Sequence, residues 1–236
     1  MTVFTGDRRR ILVGIQLAAL VAVMALHFGG GGHPRVETGN LTLKILLFGK
    51  WAVVLALASW FLRIRGLNWT DLGLRRPPWR RFALAIPIGL VGGFTLVTAV
   101  QVGLRMTRIA PSNFSAFAGV HGNLGEYLFW GFAVAWSAAA IGEELIFRGF
   151  AMDALQRIAG RGIRGATAVA IVGQAILFGA LHLYQGLGGA ITTGAIGLVL
   201  GLVWLGSGRN LWAGMLMHGL IDCGSMTAFY LDGVPS

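Results

Sequence analysis

The sequence predicts an all-α fold: a polytopic transmembrane helix bundle of about seven spans. Three observations predict it. Of 236 residues, 56% are hydrophobic and only 12% are charged, about half the charged share of an ordinary soluble domain. Mean hydropathy is +0.72, which makes lipid the main solvent. Apolar runs near the ~20 residues needed to cross a bilayer core recur along the chain, separated by short arginine-rich links.

The elements follow in order. The first run, 11–28, comes after Arg8-Arg9-Arg10. With Val23-Met24-Ala25 it imitates a cleavable or twin-arginine leader, but further spans follow and a retained first helix is expected. Gly29-Gly30-Gly31-Gly32 forms an outer link to the second run, 43–62. The link from Arg63 to Arg81 carries Arg63, Arg65, Arg75, Arg76, Arg80 and Arg81 against Asp71, and Pro77-Pro78 closes it before the third run, 82–104. Runs 124–156, 165–183, 187–206 and 210–231 complete the bundle. Arg157, Arg161 and Arg164 mark one link and Arg209 another, whereas the alternate links are poorer in Lys and Arg, with Lys44, Arg105 and Arg108 near their ends. Positive charge concentrates on cytoplasmic loops, so the N-terminus is expected inside and the C-terminus outside, in a prokaryotic plasma membrane. Trp60, Trp69, Trp79, Trp204 and Trp212 fall near the expected inner ends, where indoles anchor to the interface. The division expected is an N-terminal three-span region, 1–123, and a four-span core, 124–236. No internal repeat is visible, which counts against a transporter built from two halves.

Composition excludes several functions. Net charge is +10, from 19 Lys+Arg and 9 Asp+Glu, but the arginines flank apolar runs, so the partner they imply is the bilayer and not nucleic acid. The 37 glycines suit close helix packing in lipid. Cys223 is the single cysteine, so neither an internal disulfide nor a Cys-rich metal site is expected. The ending Asp232-Gly233-Val234-Pro235-Ser236 lacks a cysteine four residues from the end, so the chain is not itself expected to be prenylated.

Charge inside a span is costly, roughly 2.5–3.5 kcal/mol for Asp, Lys or Arg near a helix centre, and marks function. The fourth run nevertheless reads Ile141-Gly142-Glu143-Glu144-Leu145-Ile146-Phe147-Arg148. Glu144 and Arg148 stand four apart with the acid first, the favourable order for a helical ion pair. Glu143 points about 100° away around the helix and need not share that arginine. An acid free of a dedicated cation can serve as a general base. Phe178 and His182 are again four apart, as are His218 and Asp222, where the acid is placed to orient the ring. Counted at about 1.5 Å per residue, Glu143 is roughly 21 Å from Arg157, His182 roughly 27 Å from Arg164 and His218 roughly 14 Å from Arg209. Tilt, a kink or a broken helix must bring the three level.

Glu143-Glu144-x-x-x-Arg148, Phe178-x-x-x-His182 and His218-x-x-x-Asp222, in this order on successive apolar segments, resemble the three motifs of the CAAX protease and bacteriocin-processing (CPBP, or Abi) family, which includes the type II CAAX prenyl endopeptidases. The resemblance covers roughly 124–231. It implies an intramembrane peptidase: Glu143 with His182 activates a water, His218 and Asp222 hold the oxyanion, and Glu144, Arg148 and Phe178 position or support. It also implies a peptide or protein substrate at the membrane, prenylated and CAAX-like or related to bacteriocins. At the last motif the family has Asn or Asp, and an ionised Asp cannot donate a hydrogen bond. The same residues leave a second chemistry open, in which Glu143, His182 and His218 hold a divalent metal such as zinc; the spacing is not that of a His-Glu-x-x-His helix.

Other readings of these residues stand beside this one. The acid–arginine cluster could be a structural ion pair, and each histidine a core group bonded to a neighbouring helix. Phe178 suits core packing as well as substrate contact, and Asp222 could cap or pack an outer helix end. His27, His33 and His121 are expected to be non-catalytic, Glu126 interfacial, and Asp153 paired with Arg157. At the level of function the rivals are a non-enzymatic membrane immunity or binding protein and a proton-coupled transporter, since carboxylate–histidine chains also relay protons.

Overall fold

Polar residues set where several helices begin. Asn40, Asn123 and Asn210 each accept a hydrogen bond from a backbone N–H of the first turn that follows, from Leu43, Glu126 and Trp212 respectively, meeting donors that a helix start leaves unpaired. The computed structural model describes residues 6–26 and 40–235. His27, His33 and the Gly29–Gly32 link lie outside the described residues. The helices are α1 (Gly6–Ala25), α2 (Leu41–Ile64), α3 (Trp79–Met106), α4 (Leu124–Ala159), α5 (Ala166–Leu181), α6 (Gly186–Gly206) and α7 (Leu211–Asp232). Within α4 the stretch Phe129–Ala151 is wound wide, as a π-helix. Such winding is rare, and its commoner single-turn form is frequent at functional sites. Short 3₁₀ turns, Ser115–Val120 and Leu183–Gln185, precede α4 and α6.

Among the described residues, seven helices therefore stand where seven apolar runs were expected, but the expected number of spans needs correction. Among the described residues, four helices are long and apolar enough to cross a bilayer: Leu41–Ile64, Trp79–Met106, Leu124–Ala159 and Leu183–Gly206. The reasons are local. α5 has only 16 residues, short of the ~20 a bilayer core requires. α1 opens on Arg8, Arg9 and Arg10, and α7 carries His218, Asp222, Ser225 and Thr227 among its apolar residues.

The exterior is that of a protein in lipid. Phe94 is 77% exposed, Val91 69%, Ile88 68% and Ile176 66%, a density of apolar surface that would cause aggregation in water. Since lipid is as apolar as leucine, packing must come from close contact between helices. α1, α2, α4 and α5 share a core around Leu20, Val54, Leu62, Phe147 and Phe150. α3, α6 and α7 meet around Ala85, Leu200, Val203 and Met217.

The helix ends form two faces of opposite character. On one, Asp153 draws in Arg65 at 3.1 Å, Arg157 at 2.8 Å and Arg161. Arg75 Nη2 donates to the Gly208 carbonyl and Arg209 Nη2 to Thr167 Oγ1 on the same face. The Asp153–Arg157 pair expected from spacing is thus one edge of a four-residue cluster. On the other face Lys44 Nζ lies 2.7 Å from Glu126 Oε1, and Asn113 N–H donates to the Gln185 carbonyl. Glu126 was expected at the interface; it is buried, holding Lys44 and the Trp130 indole N–H. Trp204 was expected as a belt anchor; it is buried at 6% exposure against Met152, Leu211 and Met215, while Trp60 and Trp79 are exposed.

Candidate active site

Two adjacent acids on α4 take different surroundings. Glu144 has no exposed side-chain surface, whereas the Glu143 side chain keeps 15%. Glu144 Oε1 faces Arg148 Nη1 at 2.9 Å, off the line of a hydrogen bond, and accepts from His218 Nδ1 at 3.0 Å across the α4–α7 contact. Gly214, one turn before His218, makes that approach feasible, because a Cβ there would overlap Glu144 Oε2. Arg148 is held in turn by the Gly197 carbonyl of α6 at 3.3 Å, which also accepts from Gln174 Nε2 of α5 at 2.8 Å. One buried carboxylate thus ties α7 to α4, and its arginine ties α4 to α6.

The histidines are fixed from behind. His182 is the residue on which α5 ends, and its Nδ1 lies 2.8 Å from the Phe178 carbonyl. A carbonyl only accepts, so Nδ1 carries the proton and Nε2 presents its lone pair. His218 donates from Nδ1 to Glu144, and its Nε2 faces Glu143 Oε2 at 3.8 Å and Asp222 Oδ2 at 3.6 Å. Both separations are too long for a direct hydrogen bond. The Phe178 ring stands between the two, its centroid 4.8 Å from that of His182 and 5.9 Å from that of His218, with the Arg148 guanidinium carbon 4.5 Å from it. Phe178 is therefore a packed wedge, 1% exposed, that sets the spacing of both rings.

Glu143, His182, His218 and Asp222 all line one cavity of about 400 Å³, with Phe178 in its wall. The unequal depths counted along straight helices do not keep them apart. Glu144 and Arg148 are not in its lining, nor is His121, which is exposed. Among the described residues no group of three His, Cys, Asp or Glu side chains is placed to share one metal ion.

Sequence reasoning missed residues on the cavity wall from the N-terminal region. Lys50 and Trp51 of α2 and Met24 of α1 line it, as does Tyr184 after α5. Trp51 lies flat on α4: a Cβ on Gly142 would stand 3.0 Å from Trp51 Cε3. The available signal was Lys50 itself, a charge inside the apolar run 43–62, costly there for the same reason as Glu143. Compared with known proteins, residues 125–224 match the family model described as type II CAAX prenyl endopeptidase Rce1-like. No curated protein and no solved structure matches the chain significantly.

Proposed function

With residues 125–224 belonging to the Rce1-like type II CAAX prenyl endopeptidases, within the CAAX protease and bacteriocin-processing family of membrane proteases, we propose that this chain hydrolyses a peptide bond of a membrane-associated substrate. The observation that carries the reading is the meeting of Glu143, His182, His218 and Asp222 on one cavity, each histidine held from behind by a fixed acceptor.

In this mechanism Glu143 takes a proton from a water that His182 Nε2 also holds. The water oxygen attacks the scissile carbonyl carbon. His218, facing the cavity through Nε2, donates to the oxygen as it gains charge, with Asp222 beside it. Collapse of the tetrahedral intermediate breaks the C–N bond, and Glu143 returns its proton to the leaving amine. Glu144 and Arg148 act through His218 and through the α4–α6 contact, as positioning groups. The apolar walls supplied by Met24, Leu43, Leu47 and Trp51 suit a lipidated or hydrophobic segment. On this reading 124–236 carries the chemistry and 1–123 completes the wall. The setting proposed is a prokaryotic plasma membrane with the arginine-rich face cytoplasmic.

The test is cleavage of a quenched, farnesylated C-a-a-X peptide by detergent-purified protein, with and without a chelator. Glu143→Gln and His182→Ala should each lower the rate by about 10²–10⁴-fold, the range of general-base catalysis. Wild-type cleavage that survives Glu143→Gln undiminished would remove Glu143 from the mechanism. Loss of wild-type cleavage with chelator would transfer the water activation to a metal.

A further inference from the structure

We infer that Lys50 is the anchor for a carboxylate of the substrate, and so a specificity-determining residue of the cavity. The inference rests on the peptidase reading above for the identity of the cavity as a substrate site.

Two lysines of α2 face the cavity. Lys44 is satisfied by the protein: Glu126 Oε1 lies 2.7 Å from its Nζ, and the Phe129 ring centroid 4.2 Å away. Lys50 lies less than two turns further along the same helix and deeper in the bundle. Among the described residues no carboxylate comes within ion-pair distance of it, and no hydrogen bond holds it. Glu143 lines the same cavity but makes no ion pair with it. It sits ten residues into a 24-residue apolar helix, where an unpaired ammonium is costly and an anionic partner is worth most. Its position is not free to drift, because the adjacent Trp51 is seated against Gly142, next to Glu143.

A cation with no partner among the described residues, beside the reacting groups, is what a substrate carboxylate would complete. The chemistry comes from two sources, a free C-terminal carboxylate or an acidic side chain near the scissile bond. In both cases binding places the anion at Lys50 and the scissile carbonyl between Glu143 and His218.

The experiment uses three prenylated peptides of one sequence: a free C-terminal acid, a C-terminal amide, and an amide with Glu in the final position. Binding to the full chain and cleavage are both measured, for wild type, Lys50→Met and Lys50→Arg. Expected is a preference of about tenfold or more for a carboxylate-bearing peptide in wild type, as for other desolvated charge pairs. Lys50→Met should lose it by weakening the acid to the level of the amide, and Lys50→Arg should retain it. Which of the two acids is preferred identifies the source. Equal binding of acid and amide by wild type overturns the inference, as does an equal loss on both peptides in Lys50→Met, which would make Lys50 a partner of Glu143 alone. Binding is read apart from cleavage, so a wild type that binds selectively but cuts none of the peptides refutes the peptidase reading and not the role of Lys50.

Discussion

Asp222 is the residue at which the chemistry of the site is most exposed to test. Its Oδ2 lies 3.6 Å from His218 Nε2, and its side chain keeps 33% of its surface open to the cavity. An oxyanion needs donors, and a carboxylate offers none. If position 222 serves the oxyanion directly, an amide improves it; if it serves through the histidine ring, an amide is still an acceptor of the same shape. Asp222→Asn should therefore keep peptide cleavage within about tenfold of wild type, whereas Asp222→Ala should lose about 10²–10³-fold, the scale of a deleted oxyanion-hole group. An Asn variant as inactive as the Ala variant would show that the acid itself takes part. Spacing alone could place Asp222 one turn from His218, because both lie on α7. It could not show that His218 is also bound by Glu144, 74 residues earlier, since that contact exists only once α4 and α7 are packed through Gly214.

At the scale of elements, the α5–α6 contact decides where His182 stands. A Cβ on Gly179 would overlap the Ala190 carbonyl and lie 3.1 Å from Gly194 Cα. Those neighbours are backbone and cannot rotate away. Across the same interface a Cβ on Gly194 would meet the Ala175 carbonyl at 3.4 Å, an ordinary contact. Gly179→Ala should thus destabilise the detergent-solubilised protein by about 1–3 kcal/mol, as overpacking does, and lower cleavage by shifting the end of α5. Gly194→Ala should leave the melting temperature near that of wild type. Equal shifts for the two variants would mean that the helices can separate freely at this point. The abundance of glycine made close packing legible in the sequence, and apolar runs made the helices so. The 16-residue length of α5 and the wide winding of Phe129–Ala151 were not legible, because both depend on where neighbouring helices let the chain turn.

At the scale of the whole molecule, the folded bundle gathers Arg65, Arg75, Arg157, Arg161 and Arg209 onto one face, through contacts to Asp153, Gly208 and Thr167. That asymmetry could be read along the chain, since each arginine flanks an apolar run. What the chain did not reveal is the direction of the cavity. Its lining extends from Glu143 to Asn40, Ser112, Phe114 and Gln185, residues of the opposite, arginine-poor face. If positive charge marks the cytoplasmic side, substrate reaches Glu143 from the outer side, and the natural substrate is a peptide that has been exported or that projects from the outer leaflet. The prediction is direct. In a Cys223→Ser background, Ser115→Cys, exposed on the arginine-poor face, should react with a membrane-impermeant thiol reagent in intact bacterial cells. Ile163→Cys, 60% exposed on the arginine-rich face, should react only after the membrane is breached. The reverse pattern would turn the cavity toward the cytoplasm, and with it the pool of peptides to which the carboxylate preference of Lys50 applies. Because binding selectivity is measured in detergent and sidedness in cells, either outcome leaves the site chemistry intact and decides only from which compartment it is supplied.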